Sequence, residues 1–144
     1  MSSIREQIIE AAMTRLNTGA PTGVPQTTRA RQEPYSTNEL PAITIKPLRE
    51  EVEYEAEGKR SYFRKRVLTL RASVHFVGDD SVGDPMTVWI SKQLDGQTFP
   101  TLMEDCIEAQ YEWEYAAEDQ PYLVLHQDFR VIYHTLVGDQ TRTQ

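Results

Sequence analysis

The sequence predicts an α+β domain in which two helices pack on one face of a small antiparallel (mixed) sheet and a β-hairpin projects from it. Two segments carry apolar residues at helical spacing, and several others alternate apolar with polar residues. The strand-like segments follow one another across short turns, which favours antiparallel pairing. At 144 residues the chain fits one domain, predicted to span residues 1–137 with a flexible tail at 138–144.

The first helix is predicted to end near Asn17. Ser3 and Glu6 have the spacing of a capping box, in which each side chain satisfies a backbone amide of the first turn. Apolar residues then recur every four positions and give the helix one buried side: Ile4, Ile8, Ala12 and Leu16. Residues 18–39 are rich in Thr, Pro and Gly, which predicts a long loop with a short strand near 27–31.

The next segments predict three strands. Ile43 and Ile45 alternate with polar residues between Pro41 and Pro47, which predicts a short strand bounded by the two prolines. Residues 50–54 and 62–77 are predicted to be the arms of a hairpin that turns at residues 57–59. The second arm alternates strictly, and its core-facing residues are predicted to be Leu68, Leu70, Ala72, Val74 and Phe76.

A second helix is predicted to have Asp84 as its N-cap and Pro85 at its first position, and to stop near residue 95. From Cys106 onward apolar residues again alternate with polar ones, as in a strand, and the glutamates lie on the side predicted to face solvent. The buried side is predicted to comprise Ile107, Ala109, Tyr111, Trp113 and Tyr115. A turn at residues 118–121 then leads to a last strand from residue 123 to about 135.

The charge is distributed unevenly around a net value of −7. Residues 1–78 carry 12 basic and 9 acidic side chains, whereas residues 79–128 carry 12 acidic side chains and one basic one, Lys92. An acidic balance argues against a protein that grips nucleic-acid phosphates. Two interpretations remain: a solvated acidic face, or a polarised protomer whose basic half contacts the acidic half of a neighbour. No apolar run approaches the roughly 18 residues of a membrane span, so no membrane contact is expected.

The residues predict neither an enzyme nor a cofactor site. The seven glycines form no phosphate-binding loop. His126 and His134 would share a strand face but lie roughly 26 Å apart, too far to bind one metal ion. Cys106 lies among acidic residues that would raise its pKa, so it is predicted to be a structural thiol. The alternating glutamates could supply paired carboxylates, but their predicted position on the solvent side favours a solvated face.

The predicted hairpin has the most unusual charge pattern in the chain. Acidic residues fill its first arm and basic residues its second, so that opposite charges face each other across the strands. This pattern predicts a self-compensating exposed hairpin. Its apolar residues add a surface suited to packing on a neighbouring subunit: Val52, Tyr54, Tyr62 and Phe63.

The order of these features carries a family resemblance. A capped helix leads through a Thr/Pro-rich loop to Arg29 and Arg31, and then to Asn-Glu-Leu-Pro-Ala-Ile-Thr-Ile at residues 38–45. A charged hairpin, a second helix and a closing strand with Phe-Arg-Val-Ile-Tyr at 129–133 complete the order. Over nearly the whole chain this resembles the tail terminator (tail-completion, minor tail protein U-like) proteins of long-tailed bacteriophages. Its most specific piece is Glu-Leu-Pro-Ala-Ile.

The resemblance implies a virion protein, assembled in the host cytoplasm, that forms a hexameric ring at the tail–neck junction. Such a ring caps the tail tube, ends tail elongation and joins the tail to the head–neck connector, while DNA passes through its lumen without specific binding. The residues expected to contact neighbouring subunits or partners are Arg29, Arg31, Tyr35, Glu53, Glu55, Lys59, Arg60, Arg64 and Arg66. Acidic residues in the lumen would repel DNA phosphates, and the candidates are Asp79, Asp80, Glu108, Glu112 and Glu114.

Other functions remain open from the sequence. Another neck, head–tail joining or tail tube protein would share the size and the sheet-based architecture. A small cytoplasmic enzyme or ligand-binding domain would need a site between protomers, because the chain offers no convergent nucleophile, base or metal ligands. A DNA-binding module is disfavoured by the acidic balance.

Overall fold

The computed structural model describes residues 2–33, 35–53, 63–99, 102–115 and 122–141. These residues form two helices, five strands and a single 3-10 turn at Thr37–Glu39. The helices are α1 (Ile4–Asn17) and α2 (Asp84–Leu94), and the strands are β1 (Thr27–Arg29), β2 (Ala42–Glu53), β3 (Phe63–Phe76), β4 (Asp105–Tyr115) and β5 (Leu123–Leu136). The predicted turns at 57–59 and 118–121 lie outside the described residues, as do Glu55, Lys59 and Arg60.

The five strands form one mixed sheet in the order β1-β2-β3-β5-β4. β1 is parallel to β2, and every other pair is antiparallel. Both helices pack on one side of the sheet, called here the helix face, and together with it bury a single apolar core. The opposite side is called the open face, because no helix of the described chain packs on it. The α+β prediction, with both helices on one face, is therefore confirmed.

α1 begins and packs as predicted. The Ser3 side chain accepts a hydrogen bond from the Glu6 amide at 3.2 Å, which satisfies one of the free donors of the first turn. The residues predicted to form its apolar side are all buried. Trp89 of α2 donates its indole N–H to the Leu16 carbonyl at 3.1 Å and so links the end of α1 to the second helix.

α2 starts one residue earlier than predicted. Gly83, not Asp84, is the N-cap, and it supplies no side-chain cap. Gly83 is buried against Phe76, and a Cβ atom there would lie 2.6 Å from the Phe76 ring. Tertiary packing therefore decides the start of the helix, while Asp84 moves into the first turn, where its charge still favours the helix dipole. The stop was predicted correctly, because Asp95 caps the helix and Gly96 follows with a φ of +70°.

β2 is one long strand, and the prediction of two shorter strands separated at Pro47 was wrong. The strand continues through Pro47 because a β-bulge at Leu48 shifts its register against β3. β1 pairs only with residues 43–45 of β2, so the outer side of β2 at Pro47 has no partner strand among the described residues. Pro47 has no N–H to donate, but no hydrogen bond to a neighbouring strand is lost on that side.

β4 also contains a bulge, at Ala109, and the prediction for its faces was wrong. Before the bulge Cys106 lies on the helix face and is 1% exposed, opposite Val131. The extra residue reverses the alternation, so that Ile107 lies on the open face while the later aromatic residues lie on the helix face. These aromatic residues extend past the cover of α2, and their exposed fractions are 39% for Tyr111, 48% for Trp113 and 66% for Tyr115.

The end of the described chain is joined to its beginning. The Ile4 amide donates to the Gln140 carbonyl at 2.8 Å, and Leu136 bridges to Asp139. The Asp139 carboxylate also accepts from the Thr141 amide at 2.9 Å. The predicted flexible tail thus includes one residue, Gln140, that is hydrogen-bonded to the start of α1.

Candidate interaction surfaces

The loop arginines predicted to be contact residues both form ion pairs within the chain. Arg29 bonds Glu6 of α1 at 3.1 Å. Arg31 bonds Glu39 at 2.6 Å, and its guanidinium group lies 3.9 Å from the centre of the Tyr35 ring. All four charged side chains remain 38–43% exposed. Arg29 and Arg31 therefore order the loop while keeping part of their surface available to another chain.

The charged residues of the β2–β3 arm divide into an exposed pair and a buried cluster. Glu53 and Lys65 form an exposed ion pair at 3.5 Å. Arg66 lies on the helix face, where its side chain is 13% exposed and donates to Glu50 at 3.0 Å. Glu50 also accepts hydrogen bonds from Arg5 of α1 and from Tyr133 of β5. Arg66 thus acts inside the protomer, whereas Arg64 is half-buried at the same end of β3.

Sequence reasoning missed Glu50 as the centre of this cluster. Its carboxylate is 10% exposed and joins α1, β2, β3 and β5. Burial and the Glu50 carboxylate both raise the pKa of Tyr133, so that its hydroxyl stays a hydrogen-bond donor. Glu50 stands in an acidic run typical of a surface strand, and only the bulge at Leu48 turns it toward the core side.

The five acidic residues predicted to line a lumen do not lie together. Asp79 and Asp80 stand in the turn between β3 and α2, where the Ser81 hydroxyl and amide lower the pKa of Asp79. Glu108 lies on the helix face, because it precedes the bulge of β4. Glu112 and Glu114 follow the bulge and lie on the open face. The five residues therefore lie at three places: the turn before α2, the helix face and the open face.

Glu108 belongs to a partly buried polar junction that the sequence did not reveal. Its carboxylate accepts from Ser91 of α2 at 2.9 Å, from Gln127 of β5 at 2.9 Å and from the Tyr111 hydroxyl. Burial alone would raise the pKa of Glu108, but the hydrogen bonds from Tyr111, Ser91 and Gln127 together lower it. Gln127 is 0% exposed. A polar residue at 127 within an apolar series at 125, 129, 131 and 133 is the available sequence signal.

On the open face a buried ion pair crosses the centre of the sheet. Arg71 donates to both carboxylate oxygens of Asp128, at 2.8 and 3.1 Å, and reaches Glu112 at 3.1 Å. Asp128 is 2% exposed and also accepts from Gln110 at 2.9 Å. Burial would raise the pKa of Asp128, but the hydrogen bonds from Arg71 and Gln110 lower it. The carboxylate is therefore ionised and fully engaged.

Beside the Arg71–Asp128 pair, Ser73, His126 and Glu114 form a line of hydrogen-bond contacts. The Ser73 hydroxyl lies 2.7 Å from Nδ1 of His126, whose Nε2 lies 2.9 Å from Glu114. This order resembles that of an acyl-transfer triad, in which further hydrogen-bond donors stabilise the oxyanion. Ser73 lies in β3, which is paired on both sides, and is 3% exposed. The Ser73 hydroxyl is therefore enclosed in the sheet and held in contact with His126.

His75 lines a cleft of about 290 Å³ at the same end of the open face. Its ring lies 4.9 Å from that of Tyr35 and 6.4 Å from that of Tyr122, and Nε2 contacts the Thr44 hydroxyl at 3.2 Å. Burial, reinforced by His126, lowers the pKa of His75 to about 4. Its imidazole is therefore neutral near pH 7.

Two further predictions from the sequence concerned metal binding and the thiol of Cys106. No group of three potential metal ligands occurs in the part of the chain that the structure covers. Burial, followed by Asp95 and Asp105, raises the pKa of Cys106 to about 12, which agrees with a structural thiol. Neither described helix has the length and apolar character needed to cross a membrane.

An apolar groove lies between α2 and the exposed aromatic residues of β4. This α2–β4 groove has a volume of about 350 Å³ and is lined by Asp80, Asp84, Thr87, Val88, Ser91, Tyr111, Trp113 and Leu125. Val88 is 60% exposed, and the Tyr111 and Trp113 rings stack 6.2 Å apart. Exposed aromatic and aliphatic side chains grouped in this way are typical of protein–protein contact sites.

Comparison with known proteins finds similarity at the level of the fold. No protein-family model and no curated protein matches the chain. A chain of the virion of a native gene transfer agent (GTA) particle matches with a TM-score of 0.56 and 14% identity, over 92% of this chain and 92% of that chain. At this identity the likeness establishes a shared fold.

Proposed function

We propose that this chain is a structural protein of a phage-like virion and acts as its tail terminator. The observation that carries the proposal is the fold shared with a virion component over 92% of both chains. The family resemblance of the sequence points to the same class of protein. In this role copies of the chain form a ring, expected to be a hexamer, that caps the tail tube, ends elongation and joins the tail to the neck connector.

The surfaces of the protomer support a role in assembly. β4 is an edge strand. At its start the Gly96 amide donates to the Cys106 carbonyl and the Glu108 amide to the Asp95 side chain, but from Gln110 to Tyr115 no described strand pairs with its outer side. Edge strands that stay open are commonly used for contacts with other chains. Alongside β4 lie exposed aromatic residues, and at the opposite side of the sheet lie Arg29 and Arg31. A protomer with different surfaces at its two edges suits head-to-tail contacts, which generate rings when the rotation closes.

The chemistry of the described residues supports a non-enzymatic role. In the line of Ser73, His126 and Glu114 the serine is 3% exposed, and Cys106 is 1% exposed. Among the residues expected to line the lumen, those on the open face are already paired: Glu112 with Arg71 and Glu114 with His126. Even so, both glutamates remain more than half exposed, so they would still present negative charge to passing DNA.

Native mass spectrometry followed by electron-microscopy class averages tests the proposal. A sixfold ring, formed by the chain alone or on the end of tail tubes, is the expected result. The assay also separates the other virion roles, because a tube subunit would polymerise into long tubes and a neck protein would bind the connector without capping tubes. A chain that stays monomeric in all conditions, including with tube protein, would contradict the proposal.

A further inference from the structure

The bulge of β2 exposes a small group of basic and apolar side chains that border a trough of the open face. Leu48 is the extra residue of the bulge and is 42% exposed, which is unusual for a leucine in a long strand. Arg49 follows it with a side chain 73% exposed, and its ion pair with Glu51 at 3.7 Å is solvent-exposed and therefore weak. Arg130 lies in the same row as Arg49, on the far side of Thr69. Leu48, Arg49 and Arg130 are called here the Leu48 knob.

The α2–β4 groove has the complementary character. Asp80 and Asp84 are exposed at its rim, Leu125 lies in its floor, and none of its lining residues is basic. An occupant must therefore be apolar where it meets Val88 and Trp113, and positively charged where it meets the aspartates. The Leu48 knob combines one exposed leucine with two exposed arginines, which matches both requirements.

We infer that the α2–β4 groove of one copy receives the Leu48 knob of the next copy. The inference rests on the proposed self-assembly and specifies the surfaces that would make it. Leu48 would enter the groove between Val88 and Trp113, and the two arginines would pair with Asp80 and Asp84. The knob lies on the β2 side of the sheet and the groove on the β4 side. Contacts between unlike surfaces repeat head-to-tail, as a ring requires.

Site-directed cross-linking tests the contact directly. Cys106, the only cysteine of the chain, is 1% exposed, so engineered cysteines would be the only accessible thiols. Leu48→Cys and Val88→Cys are made as separate variants and oxidised alone and mixed. The mixture is expected to give a covalent dimer, whereas each variant alone gives none. The double variant L48C/V88C is expected to give a ladder of higher species, because every copy then carries both halves of the contact.

A matched control uses a residue of similar exposure away from the groove. Val137 is 47% exposed, close to the values of Leu48 and Val88. Val137→Cys mixed with Leu48→Cys is expected to give no dimer above background. Cross-linking of Leu48→Cys with itself would indicate a symmetric contact and would overturn the inference.

A charge-reversal cycle supplies an independent readout. Reversing Arg49 and Arg130 to Glu is expected to weaken self-association at least about tenfold, as measured by sedimentation. Reversing Asp80 and Asp84 to Arg as well is expected to recover most of that loss. Thermal unfolding of each variant checks that it folds. If the fourfold variant is no better than the twofold one, the arginines do not meet these aspartates.

The outcomes separate the inference from the proposed function. Assembly without any cross-link between positions 48 and 88 would overturn the contact and leave the ring intact. A chain that never self-associates, even with tube protein, would overturn both. Protection of Val88→Cys from maleimide only when tube protein is added would assign the groove to that partner and overturn the self-contact.

Discussion

Leu48 and Ala109 are the extra residues of two β-bulges that border the same row of the sheet, Pro47-Leu70-Phe129-Glu108. Both residues line a trough of about 530 Å³ on the open face. A bulge bends its strand and increases the local twist, so β2 and β4 both bend at this level beside the straight ladder of β3 and β5. Asp128 also lines this trough and is 2% exposed, although no described helix covers this face.

Deletion of Ala109 tests the role of the β4 bulge. Without the extra residue, one half of β4 must turn its side chains to the other face, because the side-chain period of a strand is two. Either Cys106 and Glu108 leave the helix face or the aromatic residues do. We expect a loss of about 3 kcal/mol in the free energy of unfolding, measured by urea denaturation.

Ala109→Ser is the control for that deletion. It keeps the residue count and the bulge, and the position is exposed. We expect its stability to change by less than about 0.5 kcal/mol. A deletion variant as stable as the serine variant would show that the bulge does not set the faces of β4.

Loss of Arg71 is expected to leave a buried carboxylate without its partner. Arg71→Met should cost about 3 kcal/mol in denaturant unfolding, because Asp128 is 2% exposed and would have to stay charged or take up a proton. The double variant R71M/D128L should regain most of this loss, since it removes the isolated charge. Equal instability of the single and double variants would contradict a charge-based explanation.

The stability of the protein is expected to fall as the pH is lowered from about 6.5 to about 4. The pKa of His75 is about 4 in the folded chain against an ordinary value of 6.5, so in this window the unfolded state binds a proton that the folded state does not. Relative to pH 4, the neutral His75 ring contributes about 1–3 kcal/mol to the free energy of unfolding at neutral pH, a range that is reduced because the ring is partly exposed. Urea unfolding at several pH values measures it, and His75→Gln should flatten the slope in this window.

Tyr133→Phe tests the buried cluster around Glu50. The variant removes one hydrogen bond to the carboxylate but leaves the ion pairs with Arg5 and Arg66. We expect a loss of about 1.5–3 kcal/mol in the free energy of unfolding, the range of a hydrogen bond to a charged group. Glu50→Ala should cost more, because it leaves two guanidinium groups without their shared partner. A smaller loss for Glu50→Ala would argue against the cluster as a stabilising unit.

Cys106 is expected to be unreactive in the folded protein. It is 1% exposed, and burial raises its pKa to about 12, so little thiolate forms near neutral pH. Ellman's reagent should titrate almost no thiol in the native state and one thiol per chain in denaturant. Rapid reaction of the native protein would contradict this burial and would complicate the cross-linking test.

The sequence by itself determined the elements whose signals are local. The capping spacing of Ser3 and Glu6 and the fourfold apolar repeat of α1 act within a few residues of one another. The side chains of β3 alternate strictly between the two faces as predicted, because β3 is a central strand that is paired with a neighbour on each side. These features, with the turn signals between them, were enough for the α+β class and for both helices on one face.

Tertiary structure decided which face a side chain takes wherever one extra residue shifts the register of a strand. One extra residue at Leu48 turns Glu50 toward the core side, and one at Ala109 turns Tyr111 and Trp113 onto the helix face beside α2. No local pattern marks either bulge, because a bulge is fixed by the neighbouring strand and by what packs on it. The buried partners of Glu50 and Asp128, and the groove that α2 forms with β4, therefore became visible only when the strands were placed side by side.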